Sequence, residues 1–276
     1  MDSTICSWLA LLPQEEGMRP HRIETLAWPE VGEAARAEDG ILILPIGATE
    51  QHGPHLPINT DTCIASAVCD YASACTGAWV APAMSYTVSA GHTGKWPGTF
   101  SLTHKTFIQA LEQWTAWAVH MGWTRVLWVN SHFGNDASLR VALDRVRLRH
   151  LDALQIGLVD TFHLSPAIWE YFKSDAEDLH ANRAETDLML FLTPESVDMG
   201  KVEDDPDRTE GTVFSYPVAQ TSLNGVTGKP SLGTSERGRE LFAEMGQALA
   251  AKIETAKSEK PPLPAAQWQG VTTPLS

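Results

Sequence analysis

The strongest constraint on the fold is a series of four short apolar runs in which hydrophobic residues are continuous rather than alternating. The runs span residues 40–46, 78–84, 125–130 and 154–159. A strand that is covered on both faces has this continuous pattern, so each run predicts a buried strand of a parallel sheet.

Segments with helical periodicity lie between and after these runs. They span residues 61–75, 103–121, 135–150, 184–192 and 235–257. Strands that alternate with helices indicate an α/β fold, with a mainly parallel central sheet and helices on both faces. Sheets of this kind bind ligands beyond the carboxyl ends of their strands, so the residues that follow each strand are the candidates for chemistry.

The length of 276 residues, 43% of them hydrophobic, is sufficient for one large core. We predict a single domain over residues 1–259. Residues 200–233 are rich in Gly, Pro, Ser and Thr, which predicts loops or short strands packed on the sheet rather than a linker. Residues 260–276 begin with Lys-Pro-Pro-Leu-Pro and are predicted to form an extended tail.

Charge, cysteine usage and hydropathy argue against nucleic acid, disulfides and a membrane span. The formal net charge of -14 argues against nucleic acid, because a phosphate-binding surface needs clustered Lys and Arg. The four cysteines contain no C-x-x-C pair, which indicates reduced thiols. Residues 1–14 carry Asp2 where a secretory leader carries a positive charge, and no apolar run reaches the length of a membrane span. These features predict a cytoplasmic protein without a membrane partner.

The first predicted strand leads directly into a carboxylate and an imidazole that are two residues apart. They are Glu50 and His52, at the expected carboxyl end of the sheet. In an extended segment, positions i and i+2 point to the same side, so both side chains can converge on one ion.

Three further acid or imidazole groups occupy comparable places, and each also has an ordinary structural interpretation. Asp61 begins a predicted helix, where an Asp commonly caps backbone N–H groups. His132 follows the third strand, where a lone His is commonly hydrogen-bonded within a loop or core. Glu185 lies in the first turn of another helix, where a Glu commonly completes a capping box.

The five groups together fit a convergent metal site better than they fit five independent structural roles. A mixed set of carboxylates and imidazoles suits zinc, manganese or iron. Three carboxylates and two imidazoles are enough for two divalent ions that share one bridging carboxylate.

Motifs in the same order along the chain resemble those of the creatininase family. Residues 45–61 resemble its G-x-T-E-Q-H-G-P-H-L-P…T-D signature, and residues 96–102 resemble its F-P-G-T-x-S-L block. Residues 130–135 resemble N-G-H-G-G-N, and residues 180–186 resemble H-A-G-x-x-E-T. With a late stretch at 225–231, the likeness covers about residues 40–250 and implies the three-layer α/β/α fold of that family.

The resemblance implies a hydrolase that uses two divalent metal ions, zinc, manganese or iron. Glu50 and His132 would belong to one ion, and His52 and Glu185 to the other. Asp61 would bridge the two ions.

The resemblance further implies that His180 is the acid or base that moves a proton to the leaving nitrogen. Four other side chains are candidates for the substrate pocket, with packing or loop stabilisation as the alternative role: His92, Trp96, Phe133 and Trp169.

One departure from the family bears on the substrate. Creatininase itself has a Tyr and a ligand Glu where this chain has Phe133 and Gly134, whereas most other relatives have Gly at the second position. We therefore expect hydrolysis of a small cyclic amide or another non-peptide C–N bond, with creatinine as one candidate among several. A lactone, a cyclic ketone or a peptide amide is the alternative substrate, and a catalytically silent scaffold is the alternative class of protein.

The resemblance also implies a closed homo-oligomer, of which a hexamer is one form, acting on a small-molecule substrate. The ten tryptophans are consistent with such an assembly but do not establish it.

Overall fold

The computed structural model describes residues 10–11 and 18–270. Within these residues the chain forms a five-stranded parallel sheet and eight α-helices. The strands are β1 (His21–Arg22), β2 (Leu42–Ile46), β3 (Trp79–Val80), β4 (Arg125–Asn130) and β5 (Gln155–Asp160). The helices are α1 (Trp28–Ala35), α2 (Thr60–Thr76), α3 (His104–Met121), α4 (Asp136–Arg149), α5 (Pro166–Phe172), α6 (Arg183–Leu192), α7 (Val218–Thr221) and α8 (Ser235–Ser258).

Helices cover both faces of the sheet, which confirms the predicted α/β class. Successive side chains of β2 point to opposite faces. Leu42 and Leu44 pack in a core with residues of α1, α3 and α4, whereas Ile43 packs in a second core with residues of α2, α6 and α8. Both faces of β2 are therefore buried, and this explains why its sequence is apolar without alternation.

The order of the strands is β1-β3-β2-β4-β5. From β2 the chain passes through α2 to β3 on one side, then returns through α3 to β4 on the other side of β2. The strands that follow β2 in the chain are thus added first on one side of it and then on the other. In an open α/β sheet, the crevice at the carboxyl ends of two strands where the order reverses in this way is the usual ligand site.

The predicted elements are confirmed, with small changes of length. All four predicted strands and all five predicted helices are present. The strand predicted at 78–84 is reduced to Trp79–Val80, because Pro82 has no N–H to donate to a neighbour. Beyond Pro82 the chain stays beside β2, since Met84 N–H donates to the Pro45 carbonyl at 2.9 Å. Strand β1 and helices α1, α5 and α7 are additional to the prediction.

Residues 200–233 are mostly loop, as predicted, and they fold back onto the sheet's carboxyl edge. Two antiparallel bridges anchor them, one between Asp205 and Gly228 and the other between His180 and Thr227. In the tail, residues 260–264 contain no regular secondary structure, Ala265–Gln267 form a short 3-10 helix, and residues 268–270 form a turn. Residues 271–276 lie outside the described part of the chain.

Other predictions concern segments that are only partly described. The absence of a secretory leader was inferred from residues 1–14, of which only residues 10–11 are described, and Cys6 also lies outside the described residues. Cys69 is buried and Cys75 is half-buried, and both are free thiols. In the described part of the chain, no helix combines the length and the apolar character needed to cross a membrane.

Candidate metal centre

The five acid and imidazole groups singled out in the sequence meet at the carboxyl edge of the sheet. Glu50 and His52 follow β2, and His132 follows β4. Asp61 and Glu185 lie in the first turns of α2 and α6. All five side chains are buried, with at most 5% of any residue exposed.

Glu50, Asp61 and His132 form the first group of potential ligands. His132 lies between the two carboxylates: its Nε2 is 3.2 Å from Glu50 Oε2 and its Nδ1 is 3.1 Å from Asp61 Oδ2. One donor atom from each of the three residues lies within 4.8 Å of the other two, a spacing that a single metal ion can span.

A second group of potential ligands has the same spacing, with one donor atom of each residue within 4.8 Å of the other two. It consists of His52, Asp61 and Glu185. His52 Nε2 lies 3.2 Å from Asp61 Oδ1 and 3.8 Å from Glu185 Oε1. Asp61 therefore belongs to both groups and directs one oxygen toward each imidazole.

Backbone carbonyls orient both imidazoles. His52 Nδ1 lies 3.0 Å from the carbonyl oxygen of Glu50, and His132 Nε2 lies 2.9 Å from that of Val88. Because a carbonyl only accepts, we infer that each of these ring nitrogens carries hydrogen. In the neutral form that binds metal, the lone pair of each ring would therefore lie on the other nitrogen, His52 Nε2 or His132 Nδ1, which faces the carboxylates. An N–H anchored on a carbonyl is typical of metal-binding histidines.

Several atoms of the cluster are buried without a hydrogen bond of acceptable geometry. Among the described residues these include both carboxylate oxygens of Glu50, His52 Nε2 and Asp61 Oδ2. Burying such atoms unpaired is costly. Their residue types are also those that zinc, manganese and iron bind, so the donor set fits divalent ions.

The balance of charge in the cluster also favours cations. Burial alone would lower the pKa of His52, but the charges of Asp61 and Glu185 outweigh it and raise that pKa to about 10. Glu50 and Asp61 similarly outweigh burial and raise the pKa of His132 to about 9. Burial raises the pKa of Glu185 to about 7. The group of three carboxylates thus attracts positive charge, and a divalent ion would take the place of the protons.

Helix starts supply two of the carboxylates in different ways. Asp61 is not a helix cap, since Asn59 occupies that position and Asp61 faces the imidazoles. Glu185 does complete a capping box: Asn182 N–H donates to Glu185 Oε2, and Glu185 N–H donates to Asn182 Oδ1, both at 3.3 Å. Its second oxygen, Oε1, remains directed at His52. The structural and the metal-facing interpretations of Glu185 are therefore compatible.

His180 and His92 approach Glu50 Oε1, whereas His132 approaches Oε2 of the same carboxylate. His180 Nδ1 and His92 Nε2 each lie 3.3 Å from Glu50 Oε1, and the three residues form a third group with metal-compatible spacing. Burial, together with the nearby His92, lowers the pKa of His180 well below its ordinary value. His180 is therefore neutral near pH 7.

A cleft of about 370 Å³ opens over the cluster, within the size range of small-molecule pockets. His92, Phe133 and His180 line it. Trp169 is not part of the lining and lies behind Phe133, with 5.8 Å between ring centroids. Trp96 is also outside the lining, and Lys95 lies over its ring at 4.7 Å from the centroid.

Comparison with known proteins decides the family. The model of the creatininase family, described as creatinine amidohydrolase, matches residues 24–253. The chain belongs to the creatininase family.

Relatives in the creatininase family act on different substrates. Mycofactocin precursor peptide peptidase of Mycolicibacterium smegmatis is 32% identical over 225 residues, which cover 78% of this chain and 84% of the relative. Creatinine amidohydrolase of Pseudomonas putida is 28% identical over 256 residues, which cover 86% of this chain and 96% of the relative. Both are hydrolases by name, and this chain is an enzyme of the same family.

Solved creatininase structures share the fold. A crystal structure of creatinine amidohydrolase has a TM-score of 0.78 at 26% identity, covering 87% of this chain and 99% of that one. A manganese creatininase has a TM-score of 0.75 at 27% identity, covering 87% and 100%. A mutant creatininase of the Zn–Zn type has a TM-score of 0.76 at 26% identity, covering 86% and 98%. By their names, these solved creatininases contain manganese in one case and a Zn–Zn pair in the other.

Gly134 lies beside the cluster and leaves little room for a side chain. A Cβ at this position would lie 2.5 Å from His132 Nε2 and 2.9 Å from the Val88 carbonyl oxygen. A side chain here would therefore displace His132, unless the local backbone moved. The carboxylates of the second group are those of Asp61 and Glu185.

Several residues that support the site were not assigned a role from the sequence. Asn130 and Asn135 brace the loop that carries His132: Asn130 Oδ1 accepts from His132 N–H at 3.2 Å, and Asn135 Nδ2 donates to Asn130 Oδ1 at 3.1 Å. Gln51 lies between His92 and His180. All three stand inside the creatininase-family motifs, so the motifs contained the signal, but only the structure shows which atoms they contact.

Proposed function

We propose that this chain is a two-metal hydrolase of a small cyclic amide or another non-peptide C–N bond. The observation that carries the proposal is the pair of three-residue groups that share Asp61. Two potential ligand sets joined by one buried carboxylate match the arrangement in which two divalent ions act on one substrate.

We assign Glu50, Asp61 and His132 to one ion and His52, Asp61 and Glu185 to the other. The assignment is supported by the unpaired buried atoms of Glu50, His52 and Asp61, and by the raised pKa values of His52 and His132. Zinc, manganese and iron remain equally compatible with the donor types.

The protein's own groups divide the work of hydrolysis. Bound divalent ions polarise a carbonyl and lower the pKa of water toward neutrality. His180, which lines the cleft, accepts a proton from water on Nδ1 and returns it to the nitrogen of the broken C–N bond. The hydrolysis then yields a carboxylic acid and an amine, on one molecule when the substrate is cyclic, and His180 regains its neutral form.

The size of the cleft supports a small substrate. At about 370 Å³ it lies near the lower end of the range for small-molecule pockets. The ring of Phe133 forms part of its wall and is itself stacked on Phe162, with 3.8 Å between ring centroids. We propose Phe133 and His92 as substrate contacts, with Trp169 supporting Phe133 from behind.

A peptide amide is the second candidate substrate. It is favoured by the 32% identity with the mycofactocin precursor peptide peptidase, against 28% for the creatinine amidohydrolase. The same machinery attacks any polarised carbonyl, so lactones and cyclic ketones belong in the same test. A silent scaffold is not favoured, because all five proposed ligands are present and converge.

Metal analysis and a substrate panel test the proposal together. Purified protein is expected to hold about two divalent ions per chain and to gain activity when manganese, zinc or iron is added back after chelation. The panel contains creatinine, hydantoins, lactams, lactones, formamides and short peptides, with product masses measured. Absence of stoichiometric metal contradicts the metal centre, whereas activity on peptides alone contradicts the small-amide substrate.

Replacing His180 with Ala separates proton transfer from metal binding. We expect His180→Ala to retain both ions and to lose at least about 100-fold in kcat, since general acid–base catalysis typically contributes that much. Metal content by mass spectrometry and steady-state rates measure the two effects. His120→Ala, on the exposed part of α3, is the matched control and should change neither. Loss of metal in His180→Ala would make His180 a ligand instead.

We also propose that the chain forms a homo-oligomer in the cytoplasm. Val213 and Phe214 are 91% and 75% exposed, close in sequence to the cleft residue Tyr216, and Trp28 is 86% exposed. Such side chains support an interface between copies of the chain. Light scattering after size exclusion measures the number of copies, with a hexamer as the expected form, and cell fractionation tests the location.

A further inference from the structure

The side chain of Gln51 is buried at the centre of a polar network beside the metal centre. Its Nε2 lies 2.9 Å from His92 Nδ1, 3.1 Å from His180 Nε2 and 3.1 Å from the carbonyl oxygen of Gly225. Its Oε1 accepts from Gly53 N–H at 2.9 Å. The residue stands between Glu50 and His52, but it has no part in the three metal-compatible groups.

Two backbone groups fix which end of the Gln51 amide is nitrogen. The N–H of Gly53 requires the oxygen beside it, and the carbonyl of Gly225 requires the nitrogen. In the reversed amide, the nitrogen would face the Gly53 N–H, so that two donors meet, and the oxygen would face the Gly225 carbonyl, so that two acceptors meet. The orientation of the amide therefore follows from a backbone N–H, which can only donate, and a backbone carbonyl, which can only accept.

This orientation determines the tautomer of His92. Gln51 Nε2 carries two hydrogens, of which one is donated to Gly225 and the other to His92 Nδ1. His92 Nδ1 must then be the acceptor, so the ring hydrogen lies on Nε2, which faces Glu50 Oε1 at 3.3 Å. A nitrogen that carries hydrogen cannot bind a metal ion.

The backbone of Gln51 determines the tautomer of His180. His180 Nε2 lies 2.7 Å from the Gln51 carbonyl oxygen, a distance that requires hydrogen on that nitrogen. Both hydrogens of the Gln51 amide are already donated elsewhere, so its 3.1 Å approach to His180 Nε2 is a contact without a shared hydrogen. The lone pair of His180 is left on Nδ1, which lies 3.3 Å from Glu50 Oε1, in a residue that lines the cleft.

We propose that Gln51 is a positioning residue that holds His92 with its Nε2 hydrogen on the side of Glu50 and leaves the lone pair of His180 on Nδ1. The inference rests on the proposed function and deepens it. It also assigns the third group, Glu50 with His92 and His180, to proton handling and ligand orientation rather than to a third ion. With His92 excluded as a ligand, only two donors of that group remain, fewer than a protein metal site uses.

The tautomers can be measured directly in the intact protein. Long-range 1H–15N spectra of 15N-histidine-labelled protein, recorded with and without Zn²⁺, distinguish ring nitrogens that carry hydrogen from those that do not. We expect hydrogen on Nε2 of both His92 and His180 in either state, with about two zinc ions per chain. Assignment uses His92→Asn and His180→Asn, each of which removes one set of signals.

Three results separate this inference from the proposed function. Hydrogen on His92 Nδ1, or a third zinc ion per chain, would overturn the role given to Gln51. Failure to bind zinc, with both tautomers as expected, would overturn the proposed function and leave the role of Gln51 supported.

The variant Gln51→Met keeps the length of the side chain and removes its hydrogen bonds. We expect a mixture of His92 tautomers and a 10- to 100-fold loss of zinc affinity by calorimetric titration, about the cost of removing a group that orients a ligand. Gln113→Met makes the same change on the exposed face of α3 and should alter neither. A lower melting temperature with unchanged tautomers and zinc affinity would reduce Gln51 to a packing residue.

Discussion

At the scale of single residues, Asp61 combines two conditions that a bridging ligand must meet. It is buried, and its two oxygens face two different imidazoles, at 3.2 Å from His52 and 3.1 Å from His132. Burial would raise its pKa, but the two histidines outweigh that effect and hold the pKa below its ordinary range. The carboxylate is therefore ionised and available to both proposed sites.

We expect Asp61→Ala to lose both metal ions, because each group of ligands would fall from three to two. Metal content after gel filtration measures the effect. Asp70→Ala is the matched control: Asp70 is also buried in α2 but pairs with Arg22, so its loss should lower stability and leave metal content unchanged. Retention of both ions in Asp61→Ala would contradict the bridging role.

Gly225 offers a second test of the network around Gln51. Its φ is +85°, and an added Cβ would lie 2.1 Å from Gln51 Oε1. Gly211 has a similar φ of +73° with nothing within 4 Å of the same Cβ, so it isolates the backbone cost alone. We expect Gly225→Ala to lower the free energy of unfolding by about 1–3 kcal/mol more than Gly211→Ala, the usual cost of overpacking. Equal losses in urea denaturation would show that Gln51 moves aside freely.

At the scale of elements, the site depends on where strands and helices end. Strands β2 and β4 are neighbours and run in parallel, so the residues after them meet at one edge. The loop of residues 203–233 closes this edge through Thr227, whose N–H donates to the His180 carbonyl at 2.7 Å. Asp205 anchors the loop by accepting from Ser222 at 2.9 Å and from Leu223 N–H at 2.7 Å.

We expect Asp205→Asn to destabilise the fold by about 1–3 kcal/mol at pH 7, the cost of losing hydrogen bonds to a charged group. Burial alone would raise the pKa of Asp205, but the hydrogen bonds from Arg208 and the Leu223 N–H outweigh it and lower that pKa. A carboxyl whose pKa is lower in the folded state stabilises the fold above its unfolded pKa, near 4, and loses this contribution as the pH falls through the folded value.

The difference between wild type and Asp205→Asn should therefore be constant from neutral pH down to about pH 4 and shrink below it. Urea denaturation at a series of pH values measures it. Asp152→Asn, at an exposed turn after α4, should leave stability almost unchanged at every pH. A difference that grew on acidification would contradict the assignment of Asp205 as an ionised anchor.

At the scale of the whole molecule, the proposed metal centre joins parts that the sheet alone does not connect. Its ligands come from the ends of β2 and β4 and from the starts of α2 and α6. Helices α2 and α6 pack with α8 in one of the two cores, so ions bound here would link that layer to the edge of the sheet.

We expect removal of metal to lower the melting temperature of the whole chain, and addition of Zn²⁺ or Mn²⁺ to restore it. A ligand present at 1,000 times its Kd stabilises the folded state by about 4 kcal/mol. Calorimetry with and without a chelator measures the shift. Asp61→Ala is the control and should not respond to the chelator, whereas an unchanged wild type would contradict a metal centre that spans these elements.

The sequence by itself determined the alternation of strands and helices and the residues that follow each strand. These are local properties: hydrophobic periodicity reflects contacts within one segment, and β2 was recognisable because both of its faces are buried. Creatininase-family motifs added the set of proposed ligands in their order along the chain. From the sequence, Glu185 is either a capping residue or a metal ligand. Only the structure shows that one of its oxygens accepts from Asn182 N–H while the other faces His52.

Only the tertiary structure decided how these parts meet. The order β3-β2-β4 brings Glu50 beside His132, which are 82 positions apart, and this pairing depends on contacts between distant segments. The direction of the Gln51 amide depends on Gly53 and Gly225, and Trp169 proved to lie behind Phe133 rather than in the lining of the cleft. Such facts concern the direction of individual bonds in a packed interior, which periodicity along the chain does not encode.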